Sequence, residues 1–128
     1  MLKKTVALVI DDSPEVQSVY YRFLAREGIG VLQVFNEEEA RLLFGSNKNI
    51  SIVIFDGCLG GHRINTLDIV KEIKGSGFNG LTIAAAADPG DNEKLLAAGC
   101  KVGLAKTEPG RWPKFTRIIK EHLAIQAS

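Results

Sequence analysis

Ile50-Ser51-Ile52-Val53-Ile54-Phe55-Asp56 is a nearly unbroken apolar run that stops at a carboxylate, with Gly57 and the pair Gly60-Gly61 just beyond it. It is too short for a typical helix and rich in β-branched residues, so it reads as a strand. A strand that is apolar on both faces has no side to offer water and must lie inside a sheet covered by helices above and below. That is an α/β architecture, in which chemistry gathers at the carboxyl ends of the strands. Asp56 stands at that edge.

Upstream, Thr5 to Ile10 is a second continuous apolar run, hence a second buried strand, and it too ends in acid, at Asp11-Asp12. Ser13 is placed to cap a helix whose first residue, Pro14, needs no backbone donor there. Val16, Val19, Tyr20, Phe23 and Leu24 recur at helical spacing as one apolar stripe, and Gly28 is the stop. Val31 to Phe35, interrupted by Gln33, fits an edge strand. Asn36 followed by Glu39 is a capping-box pattern, and it opens a helix that ends by Gly45.

Downstream of Asp56 a long loop runs to Asn65. Leu67, Ile69, Val70 and Ile73 mark the next helix, with Asp68, Lys71, Glu72 and Lys74 toward water. Leu81 to Ala86 reads as a fourth strand ending in small residues, and Pro89-Gly90 opens a short helix stopped at Gly99. Val102 to Ala105 is a brief fifth strand that delivers Lys106. Phe115, Ile118, Ile119, His122 and Leu123 share one face of a last helix that starts near Trp112-Pro113.

The sequence therefore predicts one domain over residues 1–128, with its core over 5–124: five strands alternating with five helices in a doubly wound parallel sheet. In the flavodoxin-like order 2-1-3-4-5 the first and third strands are neighbours and a crevice opens between their ends. Asp11, Asp12 and Asp56 point into that crevice, and Lys106 approaches from the fifth strand.

A chain of 128 residues buries roughly two-thirds of the surface its unfolded form exposes, so neither disulfide nor metal is needed for folding. Hydrophobic content of 45%, charged content of 24% and a net charge of +1 exclude a broad attraction for nucleic acid or anionic lipid, and any partner must be recognised locally. No apolar stretch approaches the ~20 residues of a membrane span. Met1-Leu2-Lys3-Lys4 leads straight into a strand rather than a signal-peptide core, which makes the cytoplasm the expected location. Cys58 and Cys100 lack metal-ligand spacing and fall at opposite ends of the sheet, so both are expected as reduced thiols.

Three carboxylates within a few ångströms raise one another's pKa values, a conflict that a divalent cation removes. Hard oxygen ligands with no competing His or Cys set suit Mg²⁺ better than Zn²⁺. Beside such an ion a carboxylate can attack an incoming phosphoryl group to give an acyl phosphate, while a lysine ammonium offsets charge on the phosphoryl oxygens.

With Asp11-Asp12 after the first strand, Asp56 after the third, and Lys106 after the fifth, placed just beyond Ala98-Gly99, the sequence resembles response-regulator receiver domains of two-component phosphorelays. The resemblance runs from Val6 to about Leu123, and the motifs taken together, in order, are strongly specific. It implies Asp56 as phosphoacceptor, Asp12 as a direct Mg²⁺ ligand, Asp11 as the holder of a water on the ion, and the backbone carbonyl of Cys58 as the remaining protein ligand. Lys106 would pair with the phosphoryl group. The implied donor is a sensor histidine kinase or a histidine phosphotransfer protein, with acetyl phosphate as a small substitute. The implied output is a protein target on the face of the fourth helix, fifth strand and fifth helix, with neither nucleic acid nor membrane as a direct partner. Such a chain is a phosphoacceptor that assists its own phosphorylation and dephosphorylation, not an enzyme acting on a separate substrate.

The chain also departs from that pattern. Receivers carry Ser or Thr at the end of the fourth strand; here the position falls within Ala84-Ala85-Ala86, aligned to Ala85 with Ala84 as the neighbouring choice, and Thr82 lies too far back to substitute. The lost hydroxyl removes a charge-assisted hydrogen bond of about 1.5–3 kcal/mol from the phosphorylated state. The usual aromatic three residues before the lysine is Gly103, so both halves of the usual output switch are missing. Thr107 replaces a proline that normally follows a cis bond. Because a non-proline cis bond costs about 3–4 kcal/mol, a trans Lys106-Thr107 bond is expected. Gly60 replaces another proline, in a loop that runs longer than usual to Asn65 and whose glycines would be flexible.

These departures keep a second reading in play: a phosphorylation-independent pseudo-receiver that acts by binding alone. The complete acidic cluster and the lysine weigh against it. Aspartyl-phosphatase chemistry fits poorly, since Asp11-Asp12-Ser13 lacks the Asp-x-Asp spacing. Cys58 reads as an inert loop thiol, His62 and His122 as solvent and packing residues, and Trp112 as packing. Gly60-Gly61 is not a P-loop, whose lysine and spacing are missing. The chain is expected as a stand-alone receiver or as one excised from a longer regulator or hybrid kinase, with no output domain within residues 1–128.

Overall fold

The two apolar runs become adjacent central strands of a five-stranded sheet. The structure, a computed structural model, describes residues 5–61 and 63–127. Along the chain come β1 (Val6–Ile10), α1 (Pro14–Arg26), β2 (Gly30–Val34), α2 (Glu37–Ser46), β3 (Ile50–Phe55), α3 (Leu67–Gly75), β4 (Leu81–Ala84), α4 (Pro89–Ala98), β5 (Val102–Gly103) and α5 (Arg111–Ala127). The strand order is β2-β1-β3-β4-β5 and every pairing is parallel, which is the flavodoxin-like arrangement expected from the sequence.

Side chains alternate across a strand, and here the alternation sorts the core into two halves. Leu8 and Ile10 of β1 and Val53 and Phe55 of β3 pack with Ala40, Ile69, Val70 and Leu95, so α2, α3 and α4 cover one face. Ala7, Val9, Ile52 and Ile54 pack with Tyr20, Leu24, Phe115 and Ile119, so α1 and α5 cover the other. The second half contains an aromatic seam. Trp112 stacks on Phe23 with ring centroids 4.7 Å apart and planes 9° apart, while Tyr20 meets Trp112 and Phe115 edge-on at 5.2 and 5.3 Å. Trp112 is thus a packing residue, as expected.

Local chemistry sets the helix starts. Ser13 caps α1 through Val16 N at 3.3 Å, with Pro14 in the first turn. At α2, Asn36 Oδ1 accepts from Glu39 N at 2.9 Å. The returning arm of that capping box lands one residue early, since Glu39 Oε1 accepts from Phe35 N at 3.2 Å. Asp88 caps α4 ahead of Pro89, repeating the Ser13-Pro14 arrangement.

Two strands are shorter than expected, because β4 closes at Ala84 and β5 at Gly103. Strand-like bonding nevertheless continues one link at a time: Ala85 N donates to Phe55 O at 2.8 Å, Leu104 N to Ala84 O at 2.7 Å, and Lys106 N to Ala86 O at 2.9 Å. The sheet frays into its loops while still aiming them. Gln17, which breaks the apolar stripe of α1, is buried. Its amide reaches Val9 O, Asp11 O and Val34 O at 2.9, 3.0 and 2.9 Å and ties the ends of β1 and β2 to the helix.

Cys58 and Cys100 are both free thiols. Burial pushes the Cys100 thiol up to about 12, so it stays protonated. Among the described residues no helix is long and apolar enough to cross a membrane, and no peptide bond is cis, so Lys106-Thr107 is trans as expected. His62 lies outside the described residues.

Candidate functional site

Ile10 and Phe55 face the α2–α4 side, so by alternation the residues that follow them, Asp11 and Asp56, turn toward the α1–α5 side. Asp56 N donates to Ile10 O at 2.9 Å, which sets the ends of β1 and β3 shoulder to shoulder. Lys106 arrives from the end of β5, two residues past Leu104, which packs on that same side. Strand alternation thus turns two acids to one side, and the chain leaving β5 brings a base to meet them.

The distances bear this out. Lys106 Nζ lies 2.8 Å from Asp11 Oδ2 and 3.2 Å from Asp56 Oδ1. One oxygen each from Asp11, Asp12 and Asp56 falls within 4.8 Å of the others. Asp11 and Asp56 are only 1% and 5% exposed, whereas Asp12 is open to solvent. Asp11 Oδ1 accepts from Ser13 N at 2.9 Å, and Asp12 Oδ2 accepts from Gly60 N at 2.8 Å. Gly60 sits at φ +71°, a backbone state that favours glycine. The loop is fastened further by Asn65, whose Oδ1 accepts from Leu59 N at 2.8 Å and whose Nδ2 donates to Leu59 O at 2.7 Å. The glycine-rich loop expected to be flexible is thus tied at its base and at Gly60. Thr66 Oγ1 donates to the main-chain carbonyl of Asp56 at 2.7 Å and holds it from the α3 side.

Electrostatics follow from this crowding. Burial, and then the charge of Asp11, push the Asp56 carboxyl up to about 6, with Lys106 and a Cys58 backbone N–H pulling the other way. Burial lowers the basicity of Lys106, but the Asp11 and Asp56 carboxylates outweigh it and the ammonium ends above its ordinary value. Burial and then Asp91, whose Oδ2 accepts from the Cys58 thiol at 3.8 Å, raise the Cys58 pKa, which favours an unreactive thiol.

Three carboxylates against one ammonium leave two formal negative charges in a mostly buried space. Apart from the Lys106 ammonium at 2.8 Å, Asp11 Oδ2 meets no hydrogen-bond donor among the described residues. An all-oxygen donor set and a surplus charge of two fit a hard divalent cation such as Mg²⁺. Asp11, Asp12 and Asp56 are the side chains that could hold it. The cleft above them encloses about 350 Å³, and Asp88 and Asp91 of the α4 start line it, two acids that the sequence reading passed over.

Ala85, Gly103 and Thr107 lie around the ends of β4 and β5. With Phe55 paired to Ala84, Ala85 is the residue alongside Asp56, on the α1–α5 side with Leu104. It is fully buried and presents a methyl on that side. Beside it, the Cβ of Ala86 comes within 2.9 Å of where a Cβ on Gly57 would be. On β5, Leu96 from α4 covers Gly103, with Leu96 Cδ1 3.4 Å from a Cβ built there. Thr107 Oγ1 donates to Ala87 O at 3.3 Å, and His122 is half-buried on α5.

Solved structures share this fold over nearly the whole chain. A two-component response regulator from Clostridium difficile superposes with a TM-score of 0.81 at 20% identity, covering 98% of this chain and 100% of that one. The signal receiver domain of a DNA-binding response regulator from Colwellia psychrerythraea 34H gives 0.80 at 19% identity, covering 94% and 99%. A response regulator from Thermotoga maritima gives 0.78 at 20% identity, covering 95% and 99%. The chain therefore has the fold of response-regulator receiver domains. No protein-family model and no curated protein matches its sequence.

Proposed function

We propose that the chain is a receiver domain, spanning about residues 5–124, that accepts a phosphoryl group on Asp56 from the phosphohistidine of a sensor histidine kinase or a histidine phosphotransfer protein. The observation that carries this reading is the meeting of Asp11, Asp12 and Asp56 opposite Lys106 at the strand ends. Capping or surface polarity accounts for one acid at most; neither explains a buried pair of acids that share one partly buried lysine.

In the transfer, an oxygen of the Asp56 carboxylate attacks phosphorus, the bond from phosphorus to the donor's imidazole nitrogen breaks, and an acyl phosphate forms on Asp56. Asp56 must be ionised to attack, so its raised pKa ties the reaction to pH above about 6 unless a cation displaces the proton. Lys106 already touches Asp56 Oδ1 and is placed to follow the negative charge onto the phosphoryl oxygens. Asp11 keeps the ammonium in the site, and Ser13 N keeps Asp11 in place. Asp11, Asp12 and Asp56, with the backbone carbonyl of Cys58, would hold Mg²⁺. When bound, that ion supplies charge neutralisation that lets carboxylates and phosphoryl oxygens approach one another. A cytoplasmic location, and a protein target on the face of α4, β5 and α5, complete the proposal.

A second reading has its own observation. The Ala85 methyl beside Asp56 and the Leu96 cover over Gly103 leave the usual switch without either moving part. That favours a module which binds its partner without phosphorylation.

Incubation with Mg²⁺ and acetyl phosphate, or with beryllofluoride, followed by intact mass or amide chemical shifts, separates the two. Receiver chemistry requires gain of one phosphoryl group, or metal-dependent shifts around Asp56, and neither in Asp56→Asn. No metal-dependent change in the native chain would overturn the phosphoacceptor reading and favour the binding module.

A further inference from the structure

Resting on the phosphoacceptor reading, we propose that Arg111 is a positioning residue for Lys106, bracing the main chain of the lysine and linking it to the aromatic seam between α1 and α5. Arg111 Nη1 donates to the carbonyl of Lys106 at 3.1 Å, and Nη2 donates to the Tyr20 hydroxyl at 2.9 Å. The guanidinium carbon also lies 4.3 Å from the ring centroid of Trp112 and 5.3 Å from that of Tyr20. One planar group therefore touches the residue whose ammonium joins Asp11 to Asp56, a fully buried tyrosine of α1, and the single tryptophan of the chain.

Helix stability does not explain this arginine. It is the first residue of α5, where the helix dipole disfavours a cation. Its Nε is buried and finds no acceptor among the described residues, so the side chain is held there for its two terminal nitrogens and its flat face. Lysine could not serve both acceptors and stack at once.

The need for a brace follows from the backbone. The paired ladder of β5 ends at Gly103, and Lys106 lies beyond it, attached through its own N–H to Ala86 O in the segment that follows β4. Arg111 fastens the other side of the same residue. When the Lys106 ammonium shifts from carboxylate toward a phosphoryl oxygen, the carbonyl it is built on carries the guanidinium with it, and Trp112 senses the move. With a methyl at Ala85 and no ring at Gly103, this contact leads out of the site toward α1 and α5.

The test uses the whole chain, with acetyl phosphate uptake followed by intact mass and Trp112 emission followed on adding Mg²⁺ and beryllofluoride. The native chain is expected to take up phosphoryl and change its emission. Arg111→Met is expected to take it up roughly tenfold more slowly, the effect of one charge-assisted hydrogen bond, and to lose the emission change at equal occupancy. Tyr20→Phe, which keeps the Lys106 contact, is expected to keep the rate. A purely structural arginine would lower the melting temperature without uncoupling emission from occupancy. Rate and emission in Arg111→Met within about twofold of native overturn the Arg111 proposal and leave Asp56 standing. Uptake that is absent in the native chain, or unchanged in Asp56→Asn, overturns the site reading and this one with it. Should Arg111→Met fail to fold, Arg111→Lys decides: slowed uptake with a silent Trp112 supports the brace, and native behaviour in both overturns it.

Discussion

Gly60 donates its backbone N–H to Asp12 Oδ2 at 2.8 Å, so the loop that follows β3 is tied to the acid that follows β1. Asp12→Ala removes both that tether and a carboxylate of the cation site. We expect Mg²⁺ affinity, measured from amide shifts near Asp56, to fall by more than about tenfold. Residues 59–65 should exchange their amide hydrogens faster than in the native chain. Unchanged affinity would show that Asp11 and Asp56 alone make the site.

The pKa of Asp56 carries a stability prediction. The folded chain holds this proton more firmly than the unfolded one, because the carboxyl rises from 3.8 to about 6 on burial. A raised acid pKa favours the fold as pH falls through that window, and above about 6 the ionised form weighs against it. In EDTA at about pH 8, Asp56→Asn should therefore be more stable than native by on the order of 1–3 kcal/mol, with the difference shrinking toward about pH 4. Urea unfolding at the two pH values is the check; a destabilised Asn variant at the higher pH would contradict the burial argument.

Lys106 is the counter-charge for both buried acids. Lys106→Met leaves Asp11 and Asp56 facing each other and should cost about 3 kcal/mol without metal. Since a divalent cation can take over the neutralising role, Mg²⁺ should raise the melting temperature of the variant more than that of the native chain. Equal shifts would mean that the lysine and the ion do not share the same charge.

A hydroxyl can be returned to the end of β4. Ala85→Ser adds one oxygen alongside Asp56 at little volume, and it should tighten beryllofluoride binding about tenfold through a charge-assisted hydrogen bond. The same change at Ala84, which faces the α2–α4 side, should not. Isothermal titration with Mg²⁺ in excess distinguishes them.

Gln17 serves structure alone. Gln17→Met fills the same space but leaves the carbonyls of Val9, Asp11 and Val34 without their side-chain donor. A loss of about 2–3 kcal/mol is expected, with phosphoryl uptake per folded molecule unchanged.

How much of this was readable beforehand depends on whether a residue's position follows from periodicity. The runs ending at Ile10 and Phe55 announced central strands, and a strand's alternation then put Asp11 and Asp56 on one side without further information. Asp88 had a legible signal, since Asp before Pro at a helix start repeats Ser13-Pro14. Gln17 had one too, since it stands on the helical spacing of Tyr20 and Leu24; Asp91 and Arg111 had none. Their positions depend on which helices pack against which strand ends, and a charged side chain on a helix reads the same in sequence whether it meets water or a carbonyl across the core. The lengths of β4 and β5 were overestimated for a related reason: apolar residues mark burial, and Ala85, Ala86 and Leu104 are buried beyond the point where the paired ladder ends.

The near-contact between Gly57 and Ala86 constrains more than its own two residues. A methyl at Gly57 would stand 2.9 Å from the Ala86 methyl, so the loops leaving β3 and β4 mesh like teeth with no clearance. Bulk at either position is therefore a shared quantity. In a library randomised at both, survivors should trade size, a larger residue at one tolerated where the other shrinks, and Gly57→Ala should be rescued by Ala86→Gly more than by any change elsewhere in the cleft.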